Sequence, residues 1–194
     1  MNIAILGTGI AGQTIATKLV SLGHRIMLGS RTADNPKALS WVDQAGELAS
    51  TGTFAEAAAF GEVIFNCTQG GASIAALEAA GEENLAGKVI IDVANPLDFS
   101  KGLPPFLSIC NTDSLGEQIQ KRFPASRVVK TLNTVNCTIM VDPALLPGSH
   151  DLFLSGNDPI AKEDVRNWLK TWFGWESVID LGDITTSRGT EQLL

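Results

Sequence analysis

Met1-Asn2-Ile3-Ala4-Ile5-Leu6-Gly7-Thr8-Gly9-Ile10-Ala11-Gly12 opens the chain, and Gln13-Thr14-Ile15-Ala16-Thr17-Lys18-Leu19-Val20 follows without a spacer. An apolar run of strand length, a G-x-G-x-x-G turn and a helical pattern stopping at Gly23 stand in the order of a dinucleotide-binding strand–turn–helix unit. Each glycine has a physical task. Gly7 permits the tight turn, Gly9 lets backbone approach a pyrophosphate, and Gly12 lets helix and strand pack closely. The helix start adds unpaired N–H groups and the positive end of its dipole. Glycine-rich turns also arise for steric reasons alone, so the strand before and the helix after carry the argument.

The second strand, His24 to Leu28, ends in Gly29-Ser30-Arg31-Thr32. An NAD site would place an Asp or Glu there to accept from the ribose 2′-hydroxyl. This chain offers a hydroxyl, a guanidinium and another hydroxyl. Arg31 can fork onto a 2′-phosphate while Ser30 and Thr32 donate to it, whereas a carboxylate would repel it. The expected cofactor is therefore NADP; the bland alternative is an arginine solvated in a loop.

Strands and helices then alternate. A helix is expected from Pro36 towards Ser50, a short strand over Thr51 to Phe54, and a helix over Ala55 to Phe60. A strand over Glu62 to Thr68, a helix over Ser73 to Ala80 and a strand over Lys88 to Ala94 follow. This is the pattern of a parallel α/β sheet, whose ligands bind outside the carboxyl ends of the strands. Thr68 and Asn95 fall at such ends and are candidate cofactor contacts, although Asn95-Pro96 is also an ordinary turn dipeptide. Past a Gly- and Pro-containing loop at Phe99 to Pro105 come a helix over Ser114 to Phe123, capped by Asp113 or Ser114, and a strand over Arg127 to Asn133. A strand over Asp151 to Gly156, a helix from Asp158 to Trp172 and a strand over Ser177 to Gly182 follow. A helix from Thr185 or Thr186 to Leu194 closes the pattern, and its abrupt stop suggests a longer natural chain. The spacing of Trp168, Leu169 and Trp172 assigns them to the core. The expected fold is one α/β domain with a Rossmann-type, doubly wound, mostly parallel sheet of about eight strands. Residues 1–98 form its dinucleotide-binding core, and residues 106–194 an α/β extension that completes the sheet and lines the substrate side.

Composition narrows the function. The 194 residues carry a net charge of −7, with 44% hydrophobic and 18% charged residues. That balance argues against nucleic acid or an anionic membrane as partner. No apolar run approaches a membrane span, and no signal peptide stands at the start. Cys67, Cys110 and Cys137 are widely spaced and odd in number, and read as reduced cytoplasmic thiols. His24 and His150 lack metal-ligand spacing, so no metal is expected. The absence of tyrosine removes a phenol as general acid.

Taken together, the Gly7–Gly12 turn, Gly29-Ser30-Arg31-Thr32, Asn95-Pro96, Lys130-Thr131-Leu132-Asn133-Thr134 and Ser187-Arg188-Gly189-Thr190-Glu191 resemble the NADPH-dependent coenzyme F420 reductase family. The chain is also similar to the cytosolic reductase domain of six-transmembrane metalloreductases. The resemblance implies that Thr8, Gly9, Ile10 and Ala11 hold the pyrophosphate, and Ser30 and Arg31 the 2′-phosphate. It implies that Thr68 and Asn95 flank the ribose and nicotinamide, with the loop from Asn133 to Cys137 along the nicotinamide. A homodimer and an acceptor of the flavin or deazaflavin class are implied with it.

No acid/base dyad is visible, and no catalytic residue is assigned. Hydride transfer to a flavin-like ring needs mainly stacking, alignment and exclusion of water. Reduction of a ketone or imine would want a positioned proton donor. Lys130 is the candidate donor, paired with Asn133 three residues on. On a continuous strand those two residues point to opposite faces, so Lys130 reads as a structural or surface lysine. The remaining alternative is an NADP-binding regulatory protein without turnover.

Overall fold

The computed structural model describes residues 1–193. Strand β1 (Asn2–Leu6) leads through the glycine turn into α1 (Ile10–Ser21), then β2 (Arg25–Ser30), α2 (Pro36–Ala45), β3 (Ala49–Thr53), α3 (Phe54–Phe60) and β4 (Val63–Asn66). Helices α4 (Ser73–Ala80) and α5 (Glu82–Leu85) precede β5 (Val89–Asp92), and a small hairpin is made by β6 (Leu97–Asp98) and β7 (Phe106–Leu107). The rest comprises α6 (Leu115–Arg122), β8 (Arg127–Thr131), α7 (Cys137–Val141), β9 (Asp151–Gly156), α8 (Pro159–Phe173), β10 (Ser177–Asp180) and the one-turn α9 (Ser187–Thr190).

Eight strands form one sheet in the order β10-β9-β8-β5-β4-β1-β2-β3. Every pairing is parallel except β8 with β9. The six strands from β3 to β8 thus make the doubly wound arrangement, and β9 and β10 extend it in the reverse direction. Strand order reverses beside β1, between β1 and β4, which is where such sheets open a crevice for ligands.

Alternation along the buried strands supplies two cores. Ile3, Ile5, Phe65 and Ile91 pack with Ile15 and Leu19 of α1, Trp41 of α2 and Val165 and Leu169 of α8. Ala4, Leu6, Ile64 and Ile90 pack on the other face with Ala57 of α3, Leu77 of α4 and Ile119 of α6. Trp172 belongs to the first core and Trp168 stacks on it at 5.1 Å, as the spacing predicts.

Local chemistry sets the boundaries. Asn35 caps α2, accepting from the N–H groups of Lys37 and Ala38, with Pro36 in the first turn. Thr53 and Glu56 cap α3 reciprocally. Of the two candidate caps for α6, Ser114 accepts the Glu117 N–H, while Asp113 accepts from Ser114 itself. Asp158 caps α8, and Gly174 closes it in the left-handed conformation.

Three expectations require correction. Helix α2 stops at Ala45, because Gly46 at φ 86° turns the chain away, and β3 begins at Ala49 rather than Thr51. Strand β8 ends at Thr131, because Leu132 adopts φ 64° and breaks the alternation assumed through Asn133. The closing helix is a 3-10 turn over Ile184–Thr186 followed by α9, which ends at Thr190; its expected last residue, Leu194, lies outside the described residues. No helix among the described residues is long and apolar enough to cross a membrane.

Candidate nucleotide site

The carboxyl ends of β1, β2, β4 and β5 gather most of the residues singled out from sequence, while Asn133 follows β8 and Cys137 opens α7. Gly7 has φ 116°, and a Cβ there would lie 2.5 Å from the Cys67 carbonyl oxygen. The turn therefore presses directly on the chain leaving β4. A Cβ at Gly12 would lie 2.5 Å from the Gly7 carbonyl, so α1 meets the same turn without room for a methyl. Gly9 differs. It has ordinary backbone angles, φ −77° and ψ 177°, and a Cβ there would meet no atom within 4 Å. Nothing among the described residues demands a glycine at that position, but a ligand resting on the turn would. The N-cap position of α1 receives no side-chain hydrogen bond among the described residues, leaving first-turn N–H groups for an anion. Ile10, 78% exposed, stands open beside Gly9, with Thr8 and Ala11 half-buried on either side. These features fit a dinucleotide pyrophosphate.

At the end of β2 the Ser30 hydroxyl donates to the Thr32 carbonyl at 2.5 Å and closes the turn. Ser30 is buried, while Arg31 and Thr32 are exposed. Arg31 makes no ion pair among the described residues. The turn therefore presents one free guanidinium, with its backbone held by Ser30. Gln13, passed over in the sequence, ties the glycine turn to the start of α2. Its amide donates to the Thr8 carbonyl at 3.1 Å and to the Lys37 carbonyl at 3.5 Å.

Between the ends of β4 and β5 lies a cavity of about 200 Å³, lined among others by Ala11, Thr68, Ala94, Asn95, Phe99 and Met140. Its polar side chains are largely occupied. Thr68 donates to the Asn66 side chain at 2.7 Å and meets Ser73 at 2.8 Å. Asn95 and Asn133 clasp one another: the Asn95 amide donates to the Asn133 carbonyl at 2.7 Å, and the Asn133 amide donates to the Asn95 side-chain oxygen at 2.9 Å. Pro96 is buried behind this clasp. Cys137 stands at the first turn of α7, and the residue of that helix lining the cavity is Met140, one turn further on. Cys67, half-buried, also lines the cavity, and desolvation, reinforced by the Asp92 charge, pushes its thiol well above the ordinary range. It remains a protonated packing group.

Behind the cavity, Asn66, Asp92, Lys130 and Ser155 occupy one register across β4, β5, β8 and β9. Lys130 is 1% exposed, so it is a structural lysine and not a surface one. Its ammonium lies 2.9 Å from Asp92 and 2.8 Å from Glu191, and it also donates to the Ala94 carbonyl. The break at Leu132 puts Lys130 and Asn133 on the same neighbours, Ala94–Asn95 and Thr190–Glu191, despite their odd spacing. Glu191 is a further residue that sequence reading passed over. Its only signal was a carboxylate within a motif, with no periodicity to place it.

Residues 2–96 match the NADP oxidoreductase, coenzyme F420-dependent, family. The chain is 31% identical to an F420-dependent NADP reductase of Methanothermobacter marburgensis, over all of this chain and 89% of the relative. It is 27% identical to the metalloreductase STEAP3 of Rattus norvegicus over 99% of its length, but spans only 36% of that larger protein. A solved structure from Arthrobacter sp. FB24, provisionally described as an F420-dependent NADP-reductase, is 51% identical and superposes with a TM-score of 0.92, covering 98% of this chain and 89% of that one.

Proposed function

The chain belongs to the coenzyme F420-dependent NADP oxidoreductase family, and on that premise we propose that it transfers a hydride between NADP(H) and a flat flavin-like acceptor, coenzyme F420 or a flavin. In this reading it acts in the cytoplasm as a homodimer. The observation that carries the proposal is the contrast between the turn and the cavity. The turn is open to an anion at Gly9, while Thr68 and the Asn95–Asn133 clasp at the cavity wall are already held in place by partners within the chain.

Gly7, Thr8, Gly9, Ile10, Ala11 and Gly12 would hold the pyrophosphate on the first turn of α1. Arg31 would pair with the 2′-phosphate, with the Ser30–Thr32 turn fixing its approach. Thr68, Asn95, Pro96, Asn133 and the α7 segment from Cys137 would enclose the nicotinamide end. A bound dihydronicotinamide supplies the hydride. The wall would align the nicotinamide with the acceptor and keep water out, which is what such a transfer asks of a protein.

A ketone or imine reductase would want a donor aimed at the substrate oxygen or nitrogen. Lys130, the sequence candidate for that role, is buried between two carboxylates, and the chain has no tyrosine. This favours an acceptor that takes its proton from solvent. The test is anaerobic incubation of protein and NADPH with coenzyme F420, FMN, FAD or a simple quinone, following the dihydronicotinamide absorbance. Turnover with a flavin-like ring is the expected result. Tight NADPH binding with no acceptor reduced would favour a regulatory nucleotide-binding protein instead.

A further inference from the structure

The Ser187–Glu191 segment has no part in the proposed chemistry, yet it is bound more elaborately than packing alone requires. Glu191 is 1% exposed. Its carboxylate accepts from the Leu115 and Gly116 N–H groups at 2.8 and 3.0 Å, at the start of α6, and pairs with Lys130 at 2.8 Å. Ser187 meets Ser114 at 2.8 Å, and Arg188 pairs with Glu117. These contacts fix the turn to the sheet and to α6 together.

The same turn reaches the Asn95–Asn133 clasp beside the cavity. The Thr190 carbonyl accepts from the Asn133 amide at 3.0 Å, and that amide also donates to Asn95 at 2.9 Å. Both Asn133 N–H groups are thereby spent. The Asn95 amide is oriented, with one hydrogen given to the Asn133 carbonyl and the other left for the cavity that Asn95 lines. Lys130 adds a second route by donating to the Ala94 carbonyl, next to Asn95.

We propose that the Ser187–Glu191 turn is a latch that positions the nicotinamide end of the cofactor, Glu191 docking it on Lys130 and α6 while Thr190 sets the Asn133–Asn95 clasp. Glu191 and Lys130 are positioning residues: neither lines the cavity, and both act through the clasp and the Ala94 carbonyl. The inference rests on the reading of the cavity as the nicotinamide pocket. A latch of this kind makes a distinction that stability alone does not. It governs the part of the ligand beyond the pyrophosphate and leaves the adenosine half untouched.

The test compares binding of NADPH with binding of adenosine 2′,5′-bisphosphate, which lacks the nicotinamide, in wild type and in Glu191→Gln. NADPH should weaken about tenfold, the order of one lost hydrogen bond to an oriented group, with the bisphosphate unchanged. Asn133→Ala, which leaves the Lys130–Glu191 pair in place, should give the same selective loss and decides the matter if Glu191→Gln fails to fold. Parallel weakening of both ligands, or unaltered NADPH binding in a folded variant, overturns the latch. Selective loss in Glu191→Gln but not in Asn133→Ala overturns the route through the clasp. Wild type that binds the bisphosphate but gains nothing from the nicotinamide overturns the pocket reading itself, and the latch with it.

Discussion

Lys130 and Asp92 face each other across paired strands β8 and β5, with the ammonium 2.9 Å from the carboxylate and both side chains shut off from solvent. Asp92 also accepts from Asn66 at 2.8 Å, and Glu191 completes the ammonium's shell. A buried charge is tolerable only when paired and hydrogen-bonded in this way.

Lys130→Met therefore leaves two carboxylates in the interior without their cation. The expected loss is about 3–5 kcal/mol, the usual cost of removing one partner from a buried ion pair, read as a lower urea midpoint. Adding Asp92→Asn and Glu191→Gln to the same chain should restore part of that stability. A Lys130→Met protein as stable as wild type would contradict the structural role.

Gly7 and Gly9 lie two residues apart and should respond in opposite ways. Gly7→Ala forces a methyl 2.5 Å from the Cys67 carbonyl at φ 116°, so its unfolding midpoint should fall. Gly9→Ala meets nothing within 4 Å and should melt as wild type does. Its NADPH affinity should drop at least about tenfold, a cost near 1.4 kcal/mol, because the methyl occupies the surface assigned to the pyrophosphate. Unchanged affinity would move the phosphates elsewhere.

Arg31→Ala tests the 2′-phosphate. NADPH should weaken by about 1.5–3 kcal/mol, the range for a hydrogen bond to a charged group, and NADH hardly at all. Equal weakening would remove Arg31 from cofactor discrimination.

Glu117 gives the stability curve a defined pH dependence. Its hydrogen bonds from Arg188 hold the carboxyl below its ordinary value of 4.5, with Ser114 assisting. A depressed folded-state value means that the stabilisation is fully present above the unfolded value. It fades as pH falls through the folded one. Wild type should exceed Glu117→Gln in unfolding free energy above about pH 4.5, with the two curves converging at lower pH. A gap independent of pH would rule out the Arg188 pairing as its source.

The dinucleotide half of the fold was legible because its signals are local. Alternating apolar runs and the Gly7–Gly12 turn each act within a few residues, as does Asp158-Pro159 at the start of α8 in the extension. Legibility failed where a single backbone angle changed the geometry. At Leu132 a left-handed residue no pattern announces brought Lys130 and Asn133 to common neighbours, against the parity of their spacing. At Glu191 the partners, Leu115, Gly116 and Lys130, lie scores of residues away in sequence. Residue type alone pointed to Thr68 and Asn95, but only the fold reveals that the Thr68 hydroxyl is spent on Asn66 and Ser73 and that the Asn95 amide is oriented by Asn133.

Direct hydride transfer is the centre of this account, and isotope transfer measures it. NADPH carrying deuterium on its transferable ring carbon is mixed anaerobically with protein and coenzyme F420 in deuterium-free buffer for a single turnover. Deuterium recovered on the reduced deazaflavin ring, with oxidised NADP formed in equal amount, is the predicted result. NADPH that binds yet retains its deuterium, or a reduced acceptor carrying only solvent hydrogen, would contradict it.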